Sequence, residues 1–224
     1  MGLSSVVVRA RAAHTGSVIF VHGLGDSGYG WEPVAQVLSR TLPHVKFVLP
    51  HAPEQPVTLN GGMRMPSWYD IRSLDKIAGN EDEDGMNASM RKLNELIRAE
   101  IDSGVPANRI VLGGFSQGGA MTLFTGLQSE LQLAGLAVLS GYLPMRERIM
   151  NRATDASKKV PVFHGHGTAD EVILFQYGEM TRNVLQKSGH SVDFHAYNHM
   201  GHSTCDDEIR DLQAFLSTCI PEST

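Results

Sequence analysis

The segment Ile110-Val111-Leu112-Gly113-Gly114-Phe115-Ser116-Gln117-Gly118-Gly119-Ala120 carries a short β-branched run straight into a helical stretch that continues to Leu127. A buried strand followed at once by a helix is the repeating half-unit of a parallel α/β sheet. The turn between them holds the only G-x-S-x-G of the chain, Gly114-Phe115-Ser116-Gln117-Gly118. Small flanking residues let the backbone reverse sharply. The serine is then held exposed at the helix N-terminus, with the next backbone N–H aimed where an oxyanion forms. A glycine-rich turn with an ordinary N-cap serine fits the same letters, so the rest of the chain must separate the two readings.

Working outward, Val18-Ile19-Phe20-Val21 reads as a buried strand, followed by a glycine-rich loop and a helix over 31–38. Val45-Lys46-Phe47-Val48-Leu49 is the next strand, closed by Pro50, and 51–70 reads as an irregular excursion. Leu93, Leu96, Ile97 and Ile101 recur at helical spacing, which predicts a helix over 87–103. Further strands are Leu136-Ala137-Val138-Leu139, Val160-Pro161-Val162-Phe163 and Val192-Asp193-Phe194-His195, with helices over 175–186 and 206–216. Solid apolar strands alternating with helices predict a mostly parallel sheet covered on both faces, with ligands bound beyond the carboxyl ends of the strands.

No repeat, low-complexity tract or linker divides residues 1–224, so a single α/β domain is expected. At 42% hydrophobic and 19% charged residues the chain is globular, and a net charge of −5 excludes a basic nucleic-acid footprint. The start Met1–Arg9 lacks the apolar stretch of a signal peptide, and Val6 stands where myristoylation wants Ser or Thr. No stretch approaches the roughly 18 apolar residues of a membrane span. Cys205 and Cys219 form neither a CxxC pair nor a disulfide framework. A cytoplasmic location follows as the expectation. The run Glu81-Asp82-Glu83-Asp84 reads as a solvated loop whose charge suits the N-terminus of the next helix.

A serine hydroxyl needs a base to take its proton, and on this architecture the acid and the base follow the serine in that order. Asp170 lies past the strand at Val160–Phe163, in the turn His164-Gly165-His166-Gly167-Thr168-Ala169-Asp170. Glu171 beside it is the competing carboxylate, while Asp155 lies at the wrong edge of the sheet. Of the later histidines, His190 precedes the last strand and His195 lies within it. His199 and His202 sit in the loop beyond; His202, just before the terminal helix, is placed to reach back over the sheet, with His199 the second choice.

His195, His199 and His202, with His164 and His166, form a candidate zinc set. The i,i+4 geometry of such motifs requires a helix, whereas 197–201 reads as a strand end and loop, so no metal is expected. The loop His22-Gly23-Leu24-Gly25-Asp26-Ser27-Gly28 follows the first strand directly and supplies the other half of an oxyanion hole. The expected donors are the amides of Leu24 and Gln117. A phosphate-binding loop is disfavoured: Gly23-x-Gly25-x-x-Gly28 is a superficial match, and Asp26 within it repels phosphate.

The blocks Phe20-Val21-His22-Gly23-Leu24-Gly25-Asp26, Pro50-His51-Ala52-Pro53, Pro56-Val57-Thr58-Leu59-Asn60, Met65-Pro66-Ser67-Trp68-Tyr69-Asp70, the segment from Arg109 to Gly119, and His202-Ser203-Thr204-Cys205 together resemble acyl-protein thioesterases. These belong to the carboxylesterase-type lysophospholipases, and the likeness covers nearly the whole chain. The resemblance implies an α/β-hydrolase fold without a large lid domain, and no cofactor. It implies a Ser116–Asp170–His202 triad, with Leu24 and Gln117 as oxyanion donors. Implied substrates are S-acylated proteins or lysophospholipids, met through transient contact with a membrane surface. The implied acyl-binding surface comprises Leu74, Tyr142 and Val172, with Met65 and Trp68 as further expected members. Where this chain has Tyr142 the family commonly has Trp, and where it has Asp170-Glu171-Val172 the family has Asp-Pro-hydrophobic.

Overall fold

Strand β2 (Gly16–Val21) is buried at every position, and its side chains alternate between two cores. Ile19 and Val21 join one apolar cluster; Val18 and Phe20 join the other. Only a strand covered on both faces does this. In this computed structural model, which describes residues 2–73 and 81–222, the central sheet has the order β1-β3-β2-β6-β7-β8-β9. Its members are β1 (Ser5–Val8), β3 (Val45–Pro50), β6 (Ile110–Phe115), β7 (Gly135–Leu139), β8 (Val162–Gly167) and β9 (Val192–Tyr197). All neighbours run parallel except β1, which is antiparallel to β3 at the edge.

Helices α1 (Gly28–Thr41) and α6 (Asp206–Cys219) cover one face through Trp31, Ala35, Leu38, Leu212 and Leu216. The other face is covered by α2 (Glu83–Asp102), α3 (Gln117–Leu127), α4 (Arg146–Arg152) and α5 (Phe175–Lys187), which contribute Met86, Leu93, Phe124, Ile149 and Leu185. Each such aliphatic or aromatic side chain contributes about 1.5–3 kcal/mol on burial. The fold is that of the α/β-hydrolases, with no large lid domain among the described residues.

Chain direction sets where chemistry can occur. From β2 the next parallel strand, β3, lies on one side, and β6 lies on the other. The loop after β2 and the turn after β6 therefore face each other across a topological switch point.

Several elements depart from the sequence reading. The excursion 51–70 contains a hairpin of β4 (Glu54–Val57) and β5 (Met63–Pro66), in register Glu54↔Pro66 and Val57↔Met63. Its proline-bearing strands, buried only at Val57, show no apolar alternation, which hides them in the sequence. Strand β8 begins two residues later than expected and runs on to Gly167, so the supposed turn 164–167 is buried strand. Helix α2 starts at Glu83, capped by Asp82, whose carboxylate accepts the Gly85 N–H at 3.0 Å. The acidic run is more than a solvated loop: Glu83 pairs with Arg148 and Arg152, and Glu81 accepts the Met145 N–H at 2.8 Å, fastening α4. Strand β1 and the short α4 were not anticipated. Cys205 and Cys219 are free thiols.

Candidate active site

The turn from β6 to α3 puts Ser116 at φ 55°, ψ −117°, a conformation that L-residues rarely hold. Neighbouring glycines make it possible. A Cβ on Gly118 would strike the Val21 carbonyl, and one on Gly114 would strike the backbone of Gly118. The Ser116 N–H is tied to the Leu139 carbonyl at 2.9 Å, so β7 braces the turn. The result is a serine hydroxyl raised above the sheet at a helix N-terminus.

His202 comes from the loop between β9 and α6, and its Nε2 lies 2.9 Å from Ser116 Oγ. Its Nδ1 lies 2.8 Å from Asp170 Oδ2. Phe115 packs its ring against the imidazole at 4.8 Å between centroids. Asp170, 4% exposed, follows β8 and is held from several sides. Its Oδ1 accepts the N–H groups of Val172 (2.9 Å) and Ile173 (2.8 Å). Burial acts to raise its pKa, but the His202 hydrogen bond and charge and the two amides outweigh that and hold it below the ordinary carboxylate value. An ionised Asp170 fixes the proton of His202 on Nδ1, which leaves Nε2 free to accept from the serine hydroxyl.

His166 stands behind this pair, its Nε2 2.7 Å from the Ile173 carbonyl and 3.5 Å from Asp170 Oδ2. Burial lowers its pKa, so it is neutral and donates through Nε2. Burial lowers the wholly enclosed His164 further, to about 3. The sequence points to neither residue beyond its place among the histidines of the unsupported zinc set. Among the described residues no three His, Cys, Asp or Glu side chains converge as metal ligands. His199 is exposed at φ 60°, and its N–H is bonded to Thr168 Oγ1 at 3.0 Å. Glu171 is likewise exposed and packs toward Gly201.

A cleft of about 250 Å³ opens at Ser116. Gly23, Leu24 and Gln117 line it together with the apolar side chains of Leu59, Ile71, Tyr142, Val172 and Ile173. Of the expected acyl-surface residues, Tyr142 and Val172 line this cleft. Leu59 and Ile71 were missed, because their hairpin and its return carry no periodicity. Leu74 lies outside the described residues. Trp68 is corrected: it is 0% exposed within the core and does not line the cleft. Met65 does not line it either; its sulfur packs beside Gly25 and accepts from Asn60 Nδ2 at 3.2 Å.

Both loops that carry the expected amide donors are pinned by buried groups. The His22 ring accepts the Ala52 N–H at Nε2 (3.0 Å), so its Nδ1–H donates to the Gly23 carbonyl (2.7 Å). Burial lowers its pKa, which keeps that neutral tautomer. The Gln117 amide is the first of α3, where no intrahelical acceptor is available to it.

The model of the phospholipase/carboxylesterase family matches residues 3–220. The chain belongs to that family. Within it, the chain is 48% identical over 235 residues to acyl-protein thioesterase 1 of Mycosarcoma maydis, covering 98% of each. It is 46% identical over 229 residues to acyl-protein thioesterase 1 of Cryptococcus neoformans, covering 96% of each. The crystal structure of Zea mays acyl-protein thioesterase 2 superposes with a TM-score of 0.85 at 31% identity, over 98% of this chain and 100% of that one. Like its relatives, this family member is a serine hydrolase.

Proposed function

We propose that the protein hydrolyses fatty acyl thioesters on protein cysteines by two-step acyl transfer at Ser116. The observation that carries this reading is the unbroken hydrogen-bonded line from Asp170 through His202 to Ser116, opening into an apolar cleft. His202 Nε2 takes the hydroxyl proton as Ser116 attacks the carbonyl, and Asp170 stabilises the imidazolium. The oxyanion is held by the Leu24 and Gln117 amides. His202 returns the proton to the departing thiol, then activates water to release the fatty acid. Tyr142 and Val172 guide the acyl chain along the cleft wall. Every step uses groups of this chain, and none calls for a cofactor.

Kinship with thioesterases at 46–48% identity supports a thioester on a protein as substrate. The family's description as phospholipases and carboxylesterases favours a second reading, in which a lysophospholipid is the main substrate of the same residues. Comparing kcat/KM on an S-palmitoyl peptide and on a lysophospholipid of equal chain length separates them. A ratio well above one supports thioester cleavage; a ratio well below one replaces it. Among the described residues no helix is long and apolar enough to cross a membrane. Acylated substrates at a lipid surface are met through transient contact.

A further inference from the structure

Trp68 lies in the excursion between β3 and α2, and its three polar groups go to three different elements. Its backbone N–H donates to Gln117 Oε1 at 2.9 Å. Its indole Nε1–H donates to the His22 carbonyl at 2.9 Å, and its own carbonyl accepts from Ser89 Oγ of α2. The ring is fully enclosed and lies 5.2 Å from the His22 imidazole. The Gln117 side chain, 1% exposed, completes the junction: its Nε2 donates to the Tyr69 carbonyl at 2.8 Å and to Ser67 Oγ at 3.0 Å. A single side chain and its peptide thus grip the loop after β2 and the first residue of α3 together.

Those two segments carry the Leu24 and Gln117 amides. We propose that Trp68 is a positioning residue that sets the separation of these two oxyanion donors, by holding the His22 carbonyl with its indole and the Gln117 side chain with its amide. This rests on the acyl-transfer reading of Ser116. The physical argument is one of preorganisation. Donors stabilise an oxyanion only if they already lie at bonding distance from the place where its charge develops, and a misplacement of about 1 Å forfeits most of the effect. The direct contact of Gly118 with the Val21 carbonyl fixes one side of the junction. Trp68 fixes the other. Its backbone N–H reaches only the α3 side; the indole bond is what joins that junction to the His22 carbonyl, in a loop otherwise held from the side of Ala52 and Pro66.

The test removes the indole N–H and nothing else, by replacing Trp68 with benzothienylalanine, which keeps the bicyclic shape; Trp68→Phe is the coarser companion. The measurements are kcat and KM on a thioester, and Ki for an alkyl trifluoromethyl ketone, which adds Ser116 to its carbonyl and mimics the oxyanion. We expect kcat to fall about 30-fold with KM within about twofold, and Ki to rise by the same factor as kcat/KM falls. The pH at which kcat/KM is half-maximal should not move, because the His202–Asp170 pair is untouched. Should Trp68→Phe fail to fold, the benzothienyl variant decides alone. Unchanged kcat, a loss confined to KM, or an unchanged Ki overturns the proposal. A native enzyme that the ketone leaves uninhibited, with Ser116→Ala still active, overturns the acyl-transfer reading itself.

Discussion

His202 Nε2 lies 2.9 Å from Ser116 Oγ although 86 residues separate the two in the chain. Neither residue reaches the other by its own loop alone. The serine is lifted by a strained turn that glycines permit, and the imidazole is turned toward it by a buried carboxylate. Replacing Ser116 with Ala should lower kcat by about 10⁶-fold while leaving the fold intact. Activity assays together with circular dichroism check both halves.

The strain at Ser116 makes a second, independent prediction. Alanine keeps the Cβ that makes φ 55° unfavourable, whereas glycine does not. Ser116→Gly should therefore be more stable than Ser116→Ala by about 1 kcal/mol, net of glycine's extra chain entropy. Urea midpoints of the two variants decide it. Equal midpoints would mean that the turn holds no strain.

His202→Ala should cost at least about 10⁴-fold in kcat, and His199→Ala no more than about twofold. The difference follows from placement: His202 is bonded at both nitrogens, while His199 contributes only its backbone to Thr168. An inactive His199→Ala with an active His202→Ala would reverse the assignment.

Much of this was readable in the sequence because its signals were local. Val18–Val21 and 110–112 are apolar without interruption, and the G-x-S-x-G between strand and helix has few structural uses. The order Ser116, Asp170, His202 and the loop after the first strand followed from that frame. The hairpin was hidden because Val57 is its one buried residue and Pro56 and Pro66 mask its pattern. Strand β8 was cut short because His164-Gly165-His166-Gly167 looks like a turn. In fact Gly165 and Gly167 make room for Glu208 and the Met200 carbonyl. Trp68 was misassigned for another reason: a large aromatic near the site serves equally as cleft wall or brace, and only its hydrogen bonds tell which.

Glu208 gives a pH prediction away from the chemistry. Its carboxyl is wholly buried at the start of α6 beneath Gly165, and burial followed by repulsion from Asp211 raises its pKa from 4.5 to about 8. Between those values the folded chain keeps a proton that the unfolded chain has lost. Stability therefore falls as pH rises from 4.5, by up to about 1.4 kcal/mol per unit, and the loss levels off above about 8. Glu208→Gln, which cannot ionise, should flatten the dependence between pH 5 and 8. Denaturant titrations at pH 5, 6.5 and 8 check it, and an unaltered slope would show that another group is responsible.

The cleft wall predicts a chain-length effect. A fully enclosed methylene contributes about 0.8 kcal/mol, but a cleft open to water should yield only about tenfold in kcat/KM over four carbons. Val172→Phe narrows the cleft that Val172 lines with Tyr142 and should penalise long acyl thioesters more than a two-carbon ester. A chain-length series on both proteins tests this. Flat profiles for both would remove Tyr142 and Val172 from the acyl path.

The central claim is that a fatty acyl group passes through Ser116. Mixing the enzyme with an S-palmitoyl peptide, quenching with acid within a turnover and mapping the digest by mass spectrometry observes that event. The acyl group should be found on the peptide containing Ser116, and none should be found in Ser116→Ala. A palmitoyl group carried instead on Cys205 or Cys219, or rapid turnover that leaves no acylated Ser116 at any time, would contradict the account.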